Sequence, residues 1–428
     1  MSGIAQTLES IVESSGVKTW ASLKDEERSR FTTVLVPNSS PQCVAYPKTS
    51  EELSEVLACA HANHWQVLPC GQGSKLQWGS LTEVDLIVST AQMNRLIDHA
   101  VGDLTVTAET GMRVADLQIE LAKGGQFLAI DPSYAATATL GGVVATGDTG
   151  ALRQRYGGIR DMLIGLSFVR SDGAIAKAGG RVVKNVAGYD LMKLFTGSYG
   201  TLGIISQVTF RIYPLPAAAR TVMLQGDAEA IAEATKILLA SALTPTAIAL
   251  LPAQSDPTSM GLLTRFQNIE VSVEQQSARL VQVGEALGLK GQSWAGIEES
   301  QLWQQLQEQI ETYTPAFPIA CKIGVLPSQA VETLRRMRAI APTTGCIYAG
   351  SGLGMLRFSN LNALALLKLR ELCQAQGGFL TVLEAPHALK QTLDVWGYSG
   401  NALDLMQKIK HQFDPENLLS PRRFVGGI

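Results

Sequence analysis

The chain has 428 residues, 46% of them hydrophobic and 17% charged. That length exceeds one core, so about two or three domains are expected, and the composition excludes a disordered chain. A net charge of −3 and a pI near 6.0 exclude nucleic-acid binding as the principal task.

The six cysteines (Cys43, Cys59, Cys70, Cys321, Cys346, Cys373) form no C-x-x-C pair. Neither a structural zinc nor an iron–sulfur cluster is expected on this chain, no metal site is assigned, and the scatter fits reduced core thiols in the cytoplasm. The stretch from Met1 to Ser10 has no basic start and no apolar core, and no run of about eighteen apolar residues occurs. A secretory signal and a membrane-spanning helix are therefore not expected.

In chain order, residues 4–13 read as a short amphipathic helix, followed by a polar, weakly patterned stretch to about Ser40. Thr49-Ser50-Glu51-Glu52 has the form of a capping box and opens a helix to about Ala62. Val67-Leu68 is a short strand before the loop Pro69-Cys70-Gly71-Gln72-Gly73-Ser74-Lys75, and Asp85–Val88 is the next strand. Leu104–Glu109 alternates as a strand, and a helix from Val114 to Lys123 stops at Gly124-Gly125. Leu163 to Lys177 reads as a hairpin turning at Ser171-Asp172-Gly173. From Ile204 to Ile212 the even positions share one face, the pattern of a half-buried strand, and Pro214 and Pro216 end the domain.

Beyond about Arg220, candidate strands (221–224, 246–251, 262–267, 319–325, 346–348, 353–358, 379–383) alternate with helices near 227–242, 272–287, 300–312, 328–340 and 361–376. The rhythm predicts an antiparallel sheet with helices on one face, built from two βαββαβ halves. A last helix near 401–412 precedes a C-terminal segment. The fold class is therefore α+β, divided as a lead-in (1–36), a cofactor domain (37–217), a cap (218–390) and a tail returning to the cofactor domain (391–428).

Most of the chemistry lies in glycine. Besides the 69–75 loop there are Thr139-Leu140-Gly141-Gly142, Gly147-Asp148-Thr149-Gly150 and Gly197-Ser198-Tyr199-Gly200-Thr201-Leu202-Gly203. Glycine lets backbone amides approach a ligand closely, and successive turn amides form an anion-binding concavity. One such loop is equally compatible with a tight turn; four in one domain point to a large phosphorylated cofactor held by backbone, FAD. Lys75 and Lys184 offer charge to phosphate or are ordinary surface lysines, and Arg153 and Arg155 are open to the same two readings. Gly71-Gln72-Gly73 lacks the third glycine and the following helix of a Rossmann turn. No G-K-[ST], G-x-S-x-G or H-E-x-x-H occurs, which removes P-loop nucleotidases and two hydrolase signatures.

Pro69–Ser74, Thr139–Gly142 and Gly197–Ile205 resemble flavoproteins of the vanillyl-alcohol-oxidase (PCMH-type) superfamily. The resemblance implies a two-lobed FAD-binding domain beside an antiparallel cap of ferredoxin-like halves. Carried over by position, it implicates Gly71, Gln72, Gly73, Ser74 and Lys75 at the pyrophosphate, Thr139, Gly141 and Gly142 along the ribityl chain and ring, and with them Pro132, Ser133 and Thr146. It also implicates Gly203, Ile204 and Ile205 through backbone groups. More narrowly, Val183–Leu191, Leu380–Pro386, Asp394–Gly397 and Arg423–Ile428 resemble the E-type FAD-binding chains of glycolate oxidase (glycolate dehydrogenase). That likeness implies oxidation of glycolate, a 2-hydroxy acid, to glyoxylate, in company with a D-like flavin subunit and an F-like iron–sulfur subunit. Localisation would then be cytoplasmic, peripheral at a membrane only through partners.

Catalytic D-type relatives carry histidines and acids where this chain reads Tyr348-Ala349-Gly350-Ser351-Gly352-Leu353 and Leu383-Glu384-Ala385-Pro386-His387. Glu384 and His387 remain as candidate bases, and the catalytic residue is left unassigned. The loop 69–79 holds no histidine for a covalent link, so FAD is expected to be non-covalent. An autonomous D-lactate-like dehydrogenase and a non-catalytic scaffold subunit are the alternative readings.

Overall fold

The computed structural model describes residues 3–181, 188–253 and 259–428. The chain divides into two compact units: residues 1–148, 158–215 and 398–428 form the first, and residues 149–157 with 216–397 form the second.

The first unit contains two main sheets and a two-stranded pairing of Gln126–Phe127 with Tyr213–Pro214. The smaller has the order Val17–Thr19, Cys43–Ala45, Leu86–Ser89, Val67–Cys70; its last three strands are parallel and the first is antiparallel. Helix Gly3–Val12 buries Ile4, Ala5, Leu8 and Val12 against Leu53, Val56, Leu57 and Ala60 of helix Ser50–Ala62. The second helix starts as its sequence predicts: Thr49 Oγ1 accepts the Glu52 amide at 3.1 Å. Glu52 reaches back to the amide of Lys48 at 2.7 Å, one residue earlier than the standard box. In the polar stretch before Ser40 the chain forms a helix, Asp25–Thr32, with Phe31 buried. One inward residue in eight leaves no apolar period to detect.

The larger sheet is antiparallel, in the order Leu96–Ala100, Thr105–Glu109, Ile204–Arg211, Leu163–Val169, Ile175–Gly179. The hairpin around Gly173 forms as predicted. Strand Ile204–Arg211 is not half-buried: only Gln207 and Arg211 are partly accessible. As a central strand it is hydrogen-bonded along both edges, side chains on both of its faces are buried, and a register shift between Ile205 and Gln207 breaks the simple alternation. Phe168, Phe195 and Phe413 pack as a triad with ring centroids 4.2, 5.7 and 6.2 Å apart. Each such pair contributes roughly 0.5–1.5 kcal/mol beyond its burial, and the triad anchors helix Leu403–Phe413.

The second unit is one eight-stranded antiparallel sheet. Ala218–Asp227, Ala247–Pro252, Ser259–Asn268 and Lys290–Ala295, with helices Ala228–Ala240 and Glu270–Ala286, make one βαββαβ half. Ile319–Gly324, Thr343–Tyr348, Leu353–Phe358 and Phe379–Glu384, with helices Ala330–Ile340 and Ala363–Gln374, make the other. The halves join through their second strands, where Ala249 faces Tyr348 and Leu250 faces Ile347. The predicted duplication is thus present. Strand Lys290–Ala295 was not foreseen: it is a sheet edge with mostly exposed residues, and its sequence is polar.

Nor do all helices share one face. Gly296–Glu311 covers the opposite side, packing Leu302, Trp303 and Leu306 on Ala249, Leu263 and Cys346. It is tied down by a buried acid: Glu299 accepts from Thr221 Oγ1 at 2.6 Å and from Arg265 Nη2 at 2.9 Å. Among the described residues, no helix is long and apolar enough to cross a membrane.

Candidate cofactor cleft

The glycine runs of the first unit converge on a cleft that is partly open to solvent. Gly71, Gln72, Gly73, Ser74, Lys75, Thr139, Gly141, Gly142, Thr146, Gly203, Ile204 and Ile205 all line it. Pro132 and Ser133 do not. Ser133 stands behind the wall, where its carbonyl accepts from Lys75 Nζ at 2.8 Å. Lys184 and most of the 183–191 motif lie outside the described residues. Arg153 and Arg155 are exposed on the 149–157 segment and take no part in this cleft.

Local physics explains the convergence. Strand Val67–Cys70 delivers the first loop at its C-terminal end, and Leu76 N and Trp78 N close turns onto Gly73 O and Lys75 O. The amides of Gln72, Gly73 and Ser74 donate to no acceptor among the described residues. Thr139 caps the helix Leu140–Thr146, its Oγ1 accepting from Gly142 N at 3.3 Å. The third run is fastened to the same helix by Gly197 N to Val144 O at 2.9 Å and Tyr199 N to Ala145 O at 2.8 Å.

Two glycines are required for different reasons. Gly71 passes so close to Thr139 that a Cβ would stand 2.1 Å from its Oγ1. Gly73 has φ +81°, and a Cβ there would meet Arg30 Cδ at 2.9 Å rather than point into the cleft. Arg30 belongs to helix Asp25–Thr32 and donates to Gln72 O at 2.9 Å, so that helix buttresses the loop.

Several lining residues went unassigned in the sequence. Ser198, Tyr199 and Gly200 sit inside the third glycine run, and Arg423 comes from the C-terminal segment. Arg423 donates to the carbonyls of Ser80 at 2.8 Å, Leu76 at 2.9 Å and Trp78 at 2.5 Å, shaping the turn after the first loop. Burial brings its guanidinium down to about 10, so it stays charged at neutral pH. The same segment is stitched in at Val67 N to Leu418 O and Thr82 Oγ1 to Pro421 O, and the buried Lys410 binds Asp414, Thr201 O and Leu419 O. The signal for Arg423 was available in the Arg423–Ile428 motif.

The cleft suits a large polyhydroxylated, phosphorylated ligand. It offers backbone donors without internal partners, and the buried Ser198 Oγ, on its wall, has no partner among the described residues. Burial pushes the Cys70 thiol up to about 12, so this lining cysteine is not a thiolate.

The candidate bases of the second unit are differently placed. Glu384 is buried and paired with Arg357 at 2.8 Å; Arg357 also donates to Glu311 O at 2.8 Å. Tyr348 and Ser351 belong to a hairpin turn in which Ser351 Oγ accepts from Leu353 N at 3.3 Å. His387 opens the short helix His387–Thr392, and its buried Nε2 has no partner among the described residues. Elsewhere His64 Nδ1 lies 2.6 Å from Glu416 Oε2, and His99 Nε2 lies 2.8 Å from Gln126 Oε1. Among the described residues no group of three metal-ligating side chains occurs.

Comparison with known proteins agrees with this geometry. Residues 41–179 match the FAD binding domain family. Glycolate oxidase subunit GlcD of Bacillus subtilis is 25% identical over 90% of this chain and 88% of its own length. Glycolate oxidase subunit GlcE of Escherichia coli is 32% identical over 50% of this chain and 56% of its own. The mitochondrial D-lactate dehydrogenase [cytochrome] of Arabidopsis thaliana is 33% identical over 41% of this chain, but the match spans only 31% of that protein. Among solved structures, p-cresol methylhydroxylase superposes with a TM-score of 0.73 at 14% identity, covering 98% of this chain and 96% of that one. The protein has the PCMH-type fold and binds FAD, and its glycine-lined cleft lies in the unit that carries the FAD binding domain match.

Proposed function

We propose that this chain is an FAD-binding subunit of a glycolate-oxidising complex, acting on small 2-hydroxy acids beside a D-like flavin subunit and an F-like iron–sulfur subunit. FAD, when bound, supplies a two-electron acceptor. The protein has to add a base for the substrate's hydroxyl proton. The observation that carries the reading is the Arg357–Glu384 pair, which engages the acid of the 383–387 segment in a buried salt bridge. The base is then contributed by the D-like chain. The similarity to both GlcD and GlcE supports the class of reaction.

The cleft's residues bind FAD without a covalent bond, because among the described residues its lining contains no histidine and its cysteine is protonated. Acid precipitation should release all of the flavin as FAD; flavin remaining on the precipitated chain would refute this.

The test of function is anaerobic mixing of the isolated yellow protein with glycolate or D-lactate, followed by absorbance. Slow or absent bleaching is expected from the chain alone, with turnover appearing when D-like and F-like chains are added. Rapid, complete bleaching by D-lactate would instead make it an autonomous dehydrogenase. A colourless chain that takes up no FAD would reduce it to a scaffold.

A further inference from the structure

Lys75 closes the first glycine loop, yet its side chain turns inward and is only 4% exposed. The ammonium lies 2.8 Å from Ser133 O and 3.5 Å from Asp148 Oδ2, with the rings of Trp78 and Tyr134 at 5.6 and 5.9 Å. Asp148 is equally buried, and its Oδ2 accepts the Ser133 amide at 2.7 Å. Three segments far apart in sequence, 71–75, 131–134 and 147–148, therefore meet at one ion pair.

Asp148 also follows Gly147, the left-handed residue (φ +57°) that ends helix Leu140–Thr146. Gly141 and Gly142 of that helix line the cleft, and the third glycine run hangs on its carbonyls. A shift at Asp148 would reach every wall of the cleft. An isolated buried charge is strongly disfavoured, so each member requires the other.

We propose that Lys75 and Asp148 are positioning residues: a buried pair, neutral as a unit, that sets the glycine runs in register for FAD and leaves backbone amides, not the ammonium, to meet the phosphates. The geometry favours this over direct phosphate binding, because the lysine is aimed at Ser133 and Asp148 while the Gln72, Gly73 and Ser74 amides keep their donors. The proposal rests on the reading of this cleft as the FAD site.

A double-mutant cycle tests it, using FAD-stripped full-length protein titrated with FAD and read by flavin fluorescence and the visible spectrum of the bound flavin. Lys75→Met leaves the carboxylate uncompensated and should weaken FAD binding by about tenfold or more. Adding Asp148→Asn restores neutrality and should return the affinity to within about threefold of the parent, with the parental flavin spectrum. Asp148→Asn alone should bind more weakly than the double variant; tighter binding than the parent would overturn the proposal, since it would show the released ammonium serving the phosphates. A double variant as weak as Lys75→Met would also overturn it, making Lys75 the phosphates' own counter-charge. Equal affinities in all four proteins, with only the thermal midpoints changed, would reduce the pair to a structural role. Should Lys75→Met fail to fold, Asp148→Asn against the double variant still decides: the single variant must bind FAD more weakly, and equal affinities would overturn the proposal. Gly142→Val tests the site independently: unchanged FAD uptake there would overturn the cleft assignment rather than the pair.

Discussion

Gly71→Ala adds one carbon where the structure leaves no room for it. The new Cβ would stand 2.1 Å from Thr139 Oγ1, 2.8 Å from its Cγ2 and 2.9 Å from its Cβ. Three atoms of one short, branched side chain are involved, so no rotamer change clears the overlap and one backbone must move. Thr139 would leave its capping position on Gly142, costing about 1 kcal/mol. The forced displacement adds about 1–3 kcal/mol. The sum, about 2–4 kcal/mol, corresponds to a fall of roughly 4–16 °C in the midpoint of a unit this size. Thermal unfolding of FAD-stripped protein measures the effect directly, and absorbance measures retained flavin. The pair Gly71→Ala with Thr139→Ala should lose less stability than the two singles added together, because the second change removes two of the clashing atoms. A Gly71→Ala protein that melts with the parent and stays fully yellow would refute the claimed contact.

Three further outcomes follow from buried groups. Glu384→Ala strands the Arg357 guanidinium and should destabilise the second unit by about 3–5 kcal/mol in urea unfolding; unchanged stability with lost turnover would make Glu384 a catalytic base instead. Arg423→Met removes donors from three carbonyls and, at about 1.5–3 kcal/mol for a hydrogen bond to a charged group, should lower both stability and FAD retention. Flavin content and melting together check it. Burial raises the thiols of Cys43, Cys70 and Cys373 to about 12 and that of Cys321 further still. Their unfolded counterparts ionise near 9, so the folded state holds extra protons above that pH. The associated stability is complete below pH 9 and declines as pH rises towards 12, opposed in part by Lys410, whose ammonium burial pulls down. Urea melts between pH 8 and 10.5 should show the decline, and a flat profile would refute it.

The sequence revealed the cradle because glycine runs signal backbone approach locally. It revealed the duplicated second unit because each half repeats a strand–helix order whose central strands are apolar. It could not reveal Lys75's partner, since Asp148 and Ser133 reach it only through folding. For the same reason Glu384 read as a free acid: Arg357 lies on the next strand but one in the sheet order, across Ile319–Gly324. Gly73 was legible as special, but the reason was not, because the atoms that exclude a side chain belong to Arg30 in a helix without apolar rhythm. Strand Lys290–Ala295 escaped because an exposed edge needs no hydrophobic alternation.

The stitching of residues 410–428 to Val67, Ser80, Thr82 and Thr201 places a segment that follows the second unit in sequence in the wall of the cleft. The earlier glycine loops emerge from the ribosome first, but they must wait for the whole second unit to be translated before Arg423 arrives. FAD capture is therefore expected only after residue 423 has been made, and a protease cut between the second unit and Arg423 should yield a protein that fails first at its cofactor.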